Sequence, residues 1–292
     1  MPRASATAAL LAIVLALAGP AGAEISTGAP ASLLVFPLVS VDSGQGVDTE
    51  IRLTNTGASP QAVRCVYVDG SLMPGTASDF RLSLIAQQPV SWRASTGAAL
   101  AMDAGSVPAV PTTPFSGTLR CVAADADGIP VPGDVLVGSA AIQRGAPAPD
   151  SAAYAATGFA ATGASVDAPD VLVLGGAPSE YDACPAEIAL QPFLDGATVA
   201  LGSSGDVQRT TSTTIALATC SSDPVAGANA TVAFRLINEL GQQFSTSRVV
   251  RELLVSPLSL LDTTSPSRSI FSSAVAGSST GNLRITPKGI SS

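Results

Sequence analysis

Short runs of alternating apolar and polar side chains, each ended by Gly, Pro, Asn or Asp, recur along most of this sequence. Residues 48–70, DTEIRLTNTGASPQAVRCVYVDG, carry the pattern twice. Ile51 and Leu53 share one face while Glu50, Arg52 and Thr54 take the other, the period of a strand with one wet side. Asn55-Thr56-Gly57 then supplies turn residues, and Pro60 keeps the connection from continuing as a strand. The second run sets Val63, Cys65 and Tyr67 on one face before Asp69-Gly70 closes it. By the same rule Phe80, Leu82 and Leu84 oppose Arg81 and Ser83, and Leu119 and Cys121 oppose Arg120. Asp127-Gly128 reads as a hairpin turn into VPGDVLVGSAAI. With 27 Gly and 22 Pro cutting the chain, long helices have little room, so the expected fold class is all-β.

The first 23 residues stand apart. Arg3, the apolar run Ala8–Ala18 and Ala21-Gly22-Ala23 have the order of a charged region, a hydrophobic region and a cleavage site, which makes residues 1–23 a cleaved signal peptide. The mature chain is then expected to begin near Glu24 and to hold 292 − 23 = 269 residues, room for one large domain or, as preferred here, two of ordinary size. No later stretch of about 20 apolar residues offers a membrane span. No cysteine follows the cleavage site to carry a lipid, and the chain closes on GISS, so neither a lipoprotein nor an outer-membrane barrel is expected. The location read from these features is secreted or periplasmic.

Export gives the four cysteines, Cys65, Cys121, Cys184 and Cys220, an oxidising setting. Three pairings are formally possible. A zinc site is disfavoured, because no C-x-x-C spacing occurs and the chain has no histidine. The favoured pairing joins Cys65 to Cys121 and Cys184 to Cys220, which keeps each bond within one half of the chain. In the chain-entropy picture each contributes about 4 kcal/mol. Cys65, on the buried face of its strand, is placed for a disulfide between sheets.

Five local matches recur in the same order: Ser40-Val41-Asp42 with Ser221-Ser222-Asp223, IRLTNTG (51–57) with FRLINELG (234–241), VRCV (63–66) with SRVV (247–250), LSLI (82–85) with LSLL (258–261), and GTLRC (117–121) with GNLRI (281–285). A repeat of this kind implies two sandwich units, at 31–145 and 185–292. Between them, 146–184 reads as an Ala/Gly/Pro-rich linker holding one short strand, VLVLGG at 171–176. Tyr154 and Phe159 are unusual for an exposed linker and suggest that part of it packs on a domain.

The x-L-T-N-T-G strand and turn within residues 48–70 resemble the immunoglobulin-like β-sandwich modules of secreted bacterial proteins. Cys65, Trp92 and Cys121 also follow the cysteine, tryptophan, cysteine order of immunoglobulin domains, although Trp92 follows Pro89 and is expected off the usual core position. The resemblance implies two tandem sandwiches of this kind and carries over no functional residues.

The functional expectations are mostly exclusions. Removing Arg3 takes the formal net charge from −8 to about −9, too acidic for a nucleic-acid footprint. Without histidine, Ser-His-Asp and Cys-His catalysis are closed. What remains is carboxylate chemistry, with Glu180 and Asp182 two residues apart in SEYDACP and able to face one way on an extended segment, although a polar loop held by Cys184 is the favoured reading of the pair. Asp125 and Asp127 lack the further ligands of a calcium loop. Glycan binding needs aromatic platforms, and among 8 Phe, 3 Tyr and 1 Trp the candidate contact is Trp92, for which a place in the core is the favoured reading and a surface contact the alternative. Arg52, Arg81 and Arg120, with Arg235 and Arg284, sit mid-strand on outward faces where a row pairs with an acidic partner or is simply solvated. The NAT at 229–231 is a glycosylation sequon in a host with that machinery.

These features point to a non-enzymatic exported structural or interaction protein of the adhesion type. It would need no cofactor and no metal, would not span a membrane, and would meet an envelope or extracellular protein or polysaccharide. An extracellular polysaccharide-binding module is the alternative, and a carboxylate-based glycoside hydrolase is a second alternative.

Overall fold

A computed structural model describes residues 26–70, 77–99, 105–145, 150–163, 172–175, 179–196, 198–201, 207–221, 229–261 and 280–288. The signal segment 1–23 and much of 164–178 lie outside these residues. The described strands are β1 (Ser26–Thr27), β2 (Leu33–Val41), β3 (Val47–Asn55), β4 (Gln61–Asp69), β5 (Ser78–Leu84), β6 (Pro89–Arg93), β7 (Ala98–Ala99), β8 (Ser106–Val107), β9 (Phe115–Ala124), β10 (Leu136–Arg144), β11 (Asp150–Ala155), β12 (Thr157–Phe159), β13 (Ile188–Leu194), β14 (Thr198–Leu201), β15 (Val207–Thr210), β16 (Thr214–Ala218), β17 (Asn229–Asn238), β18 (Gln243–Arg251), β19 (Leu253–Pro257) and β20 (Thr280–Pro287). One 3-10 turn, Leu258–Leu260, accompanies them. The protein is all-β, and its ladders are antiparallel.

The alternation of the sequence becomes a sandwich in the first unit. A six-stranded sheet, in the order β1-β12-β2-β9-β4-β5, packs against a four-stranded sheet, β11-β10-β3-β6. Ile51 and Leu53 from one sheet meet Val63, Cys65, Tyr67, Leu82 and Leu119 from the other in a single buried cluster. The strands on either side of the 56–60 turn, β3 and β4, therefore lie in opposite sheets. That placement changes the expected disulfide. Cys65 and Cys121 do pair, but they are ladder partners on neighbouring strands β4 and β9 of one sheet, with Cα atoms 4.1 Å apart, the close spacing of directly opposed residues. The bond staples two strands, not two sheets.

Trp92 is a core residue, the reading favoured for it over a surface contact. It lies on β6 opposite Ile51, is 3% exposed, and points across the sandwich so that its Nε1 donates to the Tyr67 hydroxyl at 2.7 Å. Pro89 does not push it out of the core, because β6 is an edge strand and a proline at the first residue of such a strand breaks no ladder. Asp127-Gly128 does form the tip of a tight antiparallel turn, in which the Asp125 amide donates to the Ile129 carbonyl, the Val131 amide to the Ala123 carbonyl, and Ala124 bridges Pro130, but the strand expected after it does not continue the pairing. The chain passes from β9 in one sheet to β10 in the other, and Asp125 Oδ1 accepts from the Asp127 and Ile129 amides to hold the crossing. Gly128, at φ +81°, lies under the Arg81 guanidinium, where an added Cβ would come within 2.4 Å.

The linker expected over 146–184 is in part sheet. β11 extends the four-stranded sheet beside β10, and β12 pairs with β1 and β2 in the six-stranded one. Tyr154 packs on the core and its hydroxyl donates to the Leu38 carbonyl. Small Ala and Gly side chains here satisfy close strand pairing instead of chain flexibility. The described part of VLVLGG, Leu172–Gly175, contributes an isolated bridge from Leu174 to Tyr181 and no ladder.

A second core, including Phe234, Leu236, Val250, Leu283 and Ile285, lies between the sheet β13-β20-β17-β18 and the ribbon β16-β19. The Cys184–Cys220 disulfide ties the approach to β13 to the end of β16. Topology does not follow the five sequence matches. β17 makes a hairpin with β18 in one sheet, whereas their counterparts β3 and β4 lie in opposite sheets. Period-2 strands ending in glycine look alike because they answer the same local rule, and that likeness does not fix their partners.

Candidate interaction site

The outer face of the six-stranded sheet is apolar where a one-sided strand would be polar. Leu33 on β2 and Val122 on β9 are buried there with Phe159, Leu172 and Tyr181, as a third layer over the sandwich. Beside that layer lies a cleft of about 240 Å³ between the two units. Leu33, Val35 and Phe159 line its first-unit side, and Ile188, Leu217 and Cys220 its second-unit side. A smaller cavity of about 90 Å³ shares Pro185, Ile188 and Cys220 with this cleft and reaches Val232, Val250 and Ile285 of the second core. Cys220 is exposed, in contrast to the fully buried Cys65–Cys121 pair.

At the head of the cleft the two units are tied by charge. Arg120 on β9 donates through Nη2 to both carboxylate oxygens of Glu252, at 2.8 and 2.9 Å, and Thr118 Oγ1 donates to Glu252 Oε1 at 2.8 Å. Arg120 is 4% exposed and Glu252 1%. Glu252 joins β18 to β19 at φ +47°, a left-handed conformation that costs a residue with a Cβ about 1–2 kcal/mol. Its carbonyl accepts from the Thr219 amide at 2.8 Å. Backbone strain, a buried carboxylate and a buried guanidinium thus converge on one contact. Arg120 is not the solvated strand arginine expected from the alternation, because the outer face of its sheet is covered.

The other arginines form no row. Arg52 is exposed on the opposite sheet and pairs with Glu50 on its own strand at 2.9 Å. Arg81 is exposed on edge strand β5. Arg235 and Arg284 are directly opposed on β17 and β20, and each is drawn to a different group: Arg235 to Gln243 at 2.9 Å, Arg284 to Glu187 at 3.0 Å. Arg52, Arg81 and Arg120 are therefore not brought together.

The carboxylates singled out for chemistry hold backbone in place. Glu180, which is buried, accepts from the Val173 amide at 3.0 Å, and Asp182 accepts from the Ala160 amide at 3.2 Å. Between them sits Tyr181, fully buried, whose hydroxyl has no hydrogen-bond partner among the described residues. Burial, followed by the charges of Glu180 and Asp134, pushes its phenol well above the usual value. An unpaired buried hydroxyl costs about 1–3 kcal/mol. Tyr181→Phe is accordingly expected to stabilise the protein by about 1 kcal/mol, read as a higher urea midpoint at unchanged slope. A lower midpoint would show that the hydroxyl has a partner in solution.

Among the described residues, no group of three or more His, Cys, Asp or Glu side chains comes together as a metal site, and no helix is long and apolar enough to cross a membrane. No protein-family model and no curated protein sequence matches the chain. Two solved structures are similar to it in part. Thermotoga maritima 1070 is 10% identical at a TM-score of 0.30 over 44% of this chain and 93% of that one. The PBSX exported protein XepA is 7% identical at a TM-score of 0.21 over 91% of this chain and 85% of that one.

Proposed function

We propose that this chain is an exported, non-enzymatic interaction protein of the adhesion type, two immunoglobulin-like sandwich units that act by contact with a protein of the cell envelope or its surroundings. The observation that carries the reading is the structural commitment of the side chains best suited to other chemistry. Glu180 and Asp182 are spent on the Val173 and Ala160 amides, while an acid and a base of a hydrolase need to face a shared cleft with separated pKa values. Trp92 is bound to Tyr67 inside the core instead of offering a ring to a sugar. Two disulfides suit an oxidising compartment, where a surface-acting module has to persist.

The test is to incubate the purified mature chain with envelope fractions and with a polysaccharide panel, scoring retention and product release separately. Retention on an envelope fraction that is lost when that fraction is pretreated with protease, with no sugar released, is the expected result. Release of reducing sugar would end the non-enzymatic reading. Retention on a purified polysaccharide would replace the protein partner by a glycan.

A further inference from the structure

An unpaired sheet edge is a template for another strand, and folded proteins usually blunt it with prolines, charges, bulges, short strands or a covering loop. Five of the six edges of the three larger sheets are treated in this way. β1 is two residues long, β6 starts at Pro89 and is five residues long, and β11 is six residues long and opens on Asp150. β5 is covered at Leu82 by a bridge from Gly105, and β13 contains Pro192 and a register shift between Leu190 and Phe193. β18 has no proline, bulge, shortening or covering strand among the described residues, and its charges are two arginines, Arg248 and Arg251. It runs nine residues, QFSTSRVVR, in unbroken register with β17 from Gln243↔Ile237 to Arg251↔Asn229, and it contains no Pro, Gly, Lys or acid. Among the described residues no strand pairs with its far edge.

We propose that β18 is a self-association edge, to which a second copy of the chain adds its own β18, antiparallel about a two-fold axis at Ser247, joining two four-stranded sheets into one. The sequence of the strand suits this partner. A two-fold axis perpendicular to the sheet keeps each face on its own side, so opposed residues must belong to the same face and the axis must pass at a residue. Centring on Ser247 uses all nine residues. Arg251 then faces the second copy's Gln243, Arg248 faces the second copy's Thr246, and no two like charges are directly opposed, an arrangement that cross-strand pairing favours. On the core side, half-buried Phe244 meets the second copy's buried Val250 at each end, flanking the central Arg248 and Thr246 pairs. On the outer side Val249, 59% exposed, faces the second copy's Ser245. Leu260, 53% exposed, is held near the same border by Arg248 Nη1, which donates to its carbonyl at 3.4 Å. Main-chain hydrogen bonds supply the affinity in strand addition, and the symmetric contact closes at two copies.

The inference stands apart from the envelope-contact reading, which is scored by retention. Its test uses the full mature chain in sedimentation velocity across a dilution series, with two substitutions at the centre of the strand. Because all four native cysteines are in disulfides, Ser247→Cys introduces a single thiol whose symmetry mate lies directly opposite in the paired state. Mild oxidation is expected to give a covalent dimer with Ser247→Cys and not with Ser245→Cys, whose two copies are displaced along the strands. Ser247→Lys places two ammonium groups against each other while leaving the monomer's exposed face unstrained, so the dimer dissociation constant is expected to rise at least about tenfold with an unchanged circular dichroism spectrum. A chain that stays monomeric at every concentration overturns the proposal. So does a dimer that is indifferent to Ser247→Lys, or one that cross-links through Ser245→Cys in preference to Ser247→Cys.

Discussion

Arg120→Met is expected to lower the stability of the protein by about 3–5 kcal/mol, more than any surface substitution in the chain. The reason is the asymmetry of a buried ion pair. Two paired charges in the interior roughly balance their desolvation, but a lone one does not, and Glu252 at 1% exposure has no water to replace the guanidinium. Thr118 leaves it one hydrogen bond, which softens the loss and does not offset a charge. Glu252→Gln should cost less than Arg120→Met, since an amide still accepts from Arg120 and strands a cation that its other contacts partly hold. Replacing both residues by apolar ones, Arg120→Met with Glu252→Leu, should recover much of the loss, because no unpaired charge is then left behind. Urea unfolding of the two singles and the double gives the coupling directly. Singles costing less than about 1 kcal/mol, or additive losses in the double, would mean that the contact is solvated in solution and that the two units do not depend on it.

The strand faces of the first unit were legible in the sequence and the sheet partners were not. Ile51, Leu53, Val63, Cys65, Tyr67, Phe80, Leu82, Leu84, Leu119 and Cys121 are all buried, because period-2 alternation reports which side of a strand meets a core. Alternation is silent on which strand lies alongside. The inter-sheet disulfide, the sheet that β10 joins after the Asp127-Gly128 turn and the shared topology of the two halves all depend on partners, and in each the structure differs from the expectation. A signal for the hidden outer face was present. LLVFPLV at 33–39 has no polar residue, the mark of a strand buried on both faces, and Val66, Val68 and Val122 fall where one-sided strands would be polar. Read that way, the sequence would have placed Arg120 under cover. Its partner Glu252 lies 132 residues away, and nothing local announces the pairing.

Residues 150–159 failed for a related reason. Ala, Gly and Ser are common to flexible linkers and to strands packed closely at a sheet edge, so composition cannot separate the two. Tyr154 and Phe159 were the discriminating residues, since large aromatic side chains in a small-residue context imply a surface to pack on, and both do pack. The candidate site shows the same division. The types of the residues, an arginine on a strand face and carboxylates beside Tyr181, were readable; their engagement within the fold came from long-range contacts.

Trp92→Ala is expected to cost about 3–5 kcal/mol and to leave any envelope retention of the molecules that remain folded unchanged. Trp92 is 3% exposed, stands edge-on to Phe80 with centroids 6.4 Å apart, and donates its Nε1 proton to Tyr67. Tyr67 in turn packs on Phe80 and Phe115, and burial, the largest influence on its phenol, keeps it protonated well above the usual range. Truncation removes the packed indole, opens a cavity and orphans the Tyr67 hydroxyl, and the last of these is separable. Trp92→Phe keeps most of the apolar volume but removes the donor, while Tyr67→Phe strands the indole N–H. Each should therefore cost about 1–3 kcal/mol, and the double Trp92→Phe with Tyr67→Phe should cost less than the sum, because neither polar group is then left behind. A tryptophan serving as an exposed sugar platform would behave in the opposite way, with stability within about 0.5 kcal/mol of the parent and binding abolished. Urea midpoints measured beside retention on envelope and polysaccharide fractions decide between the two. Loss of retention at unchanged stability in Trp92→Ala would move the ring to the surface and make the protein a glycan binder.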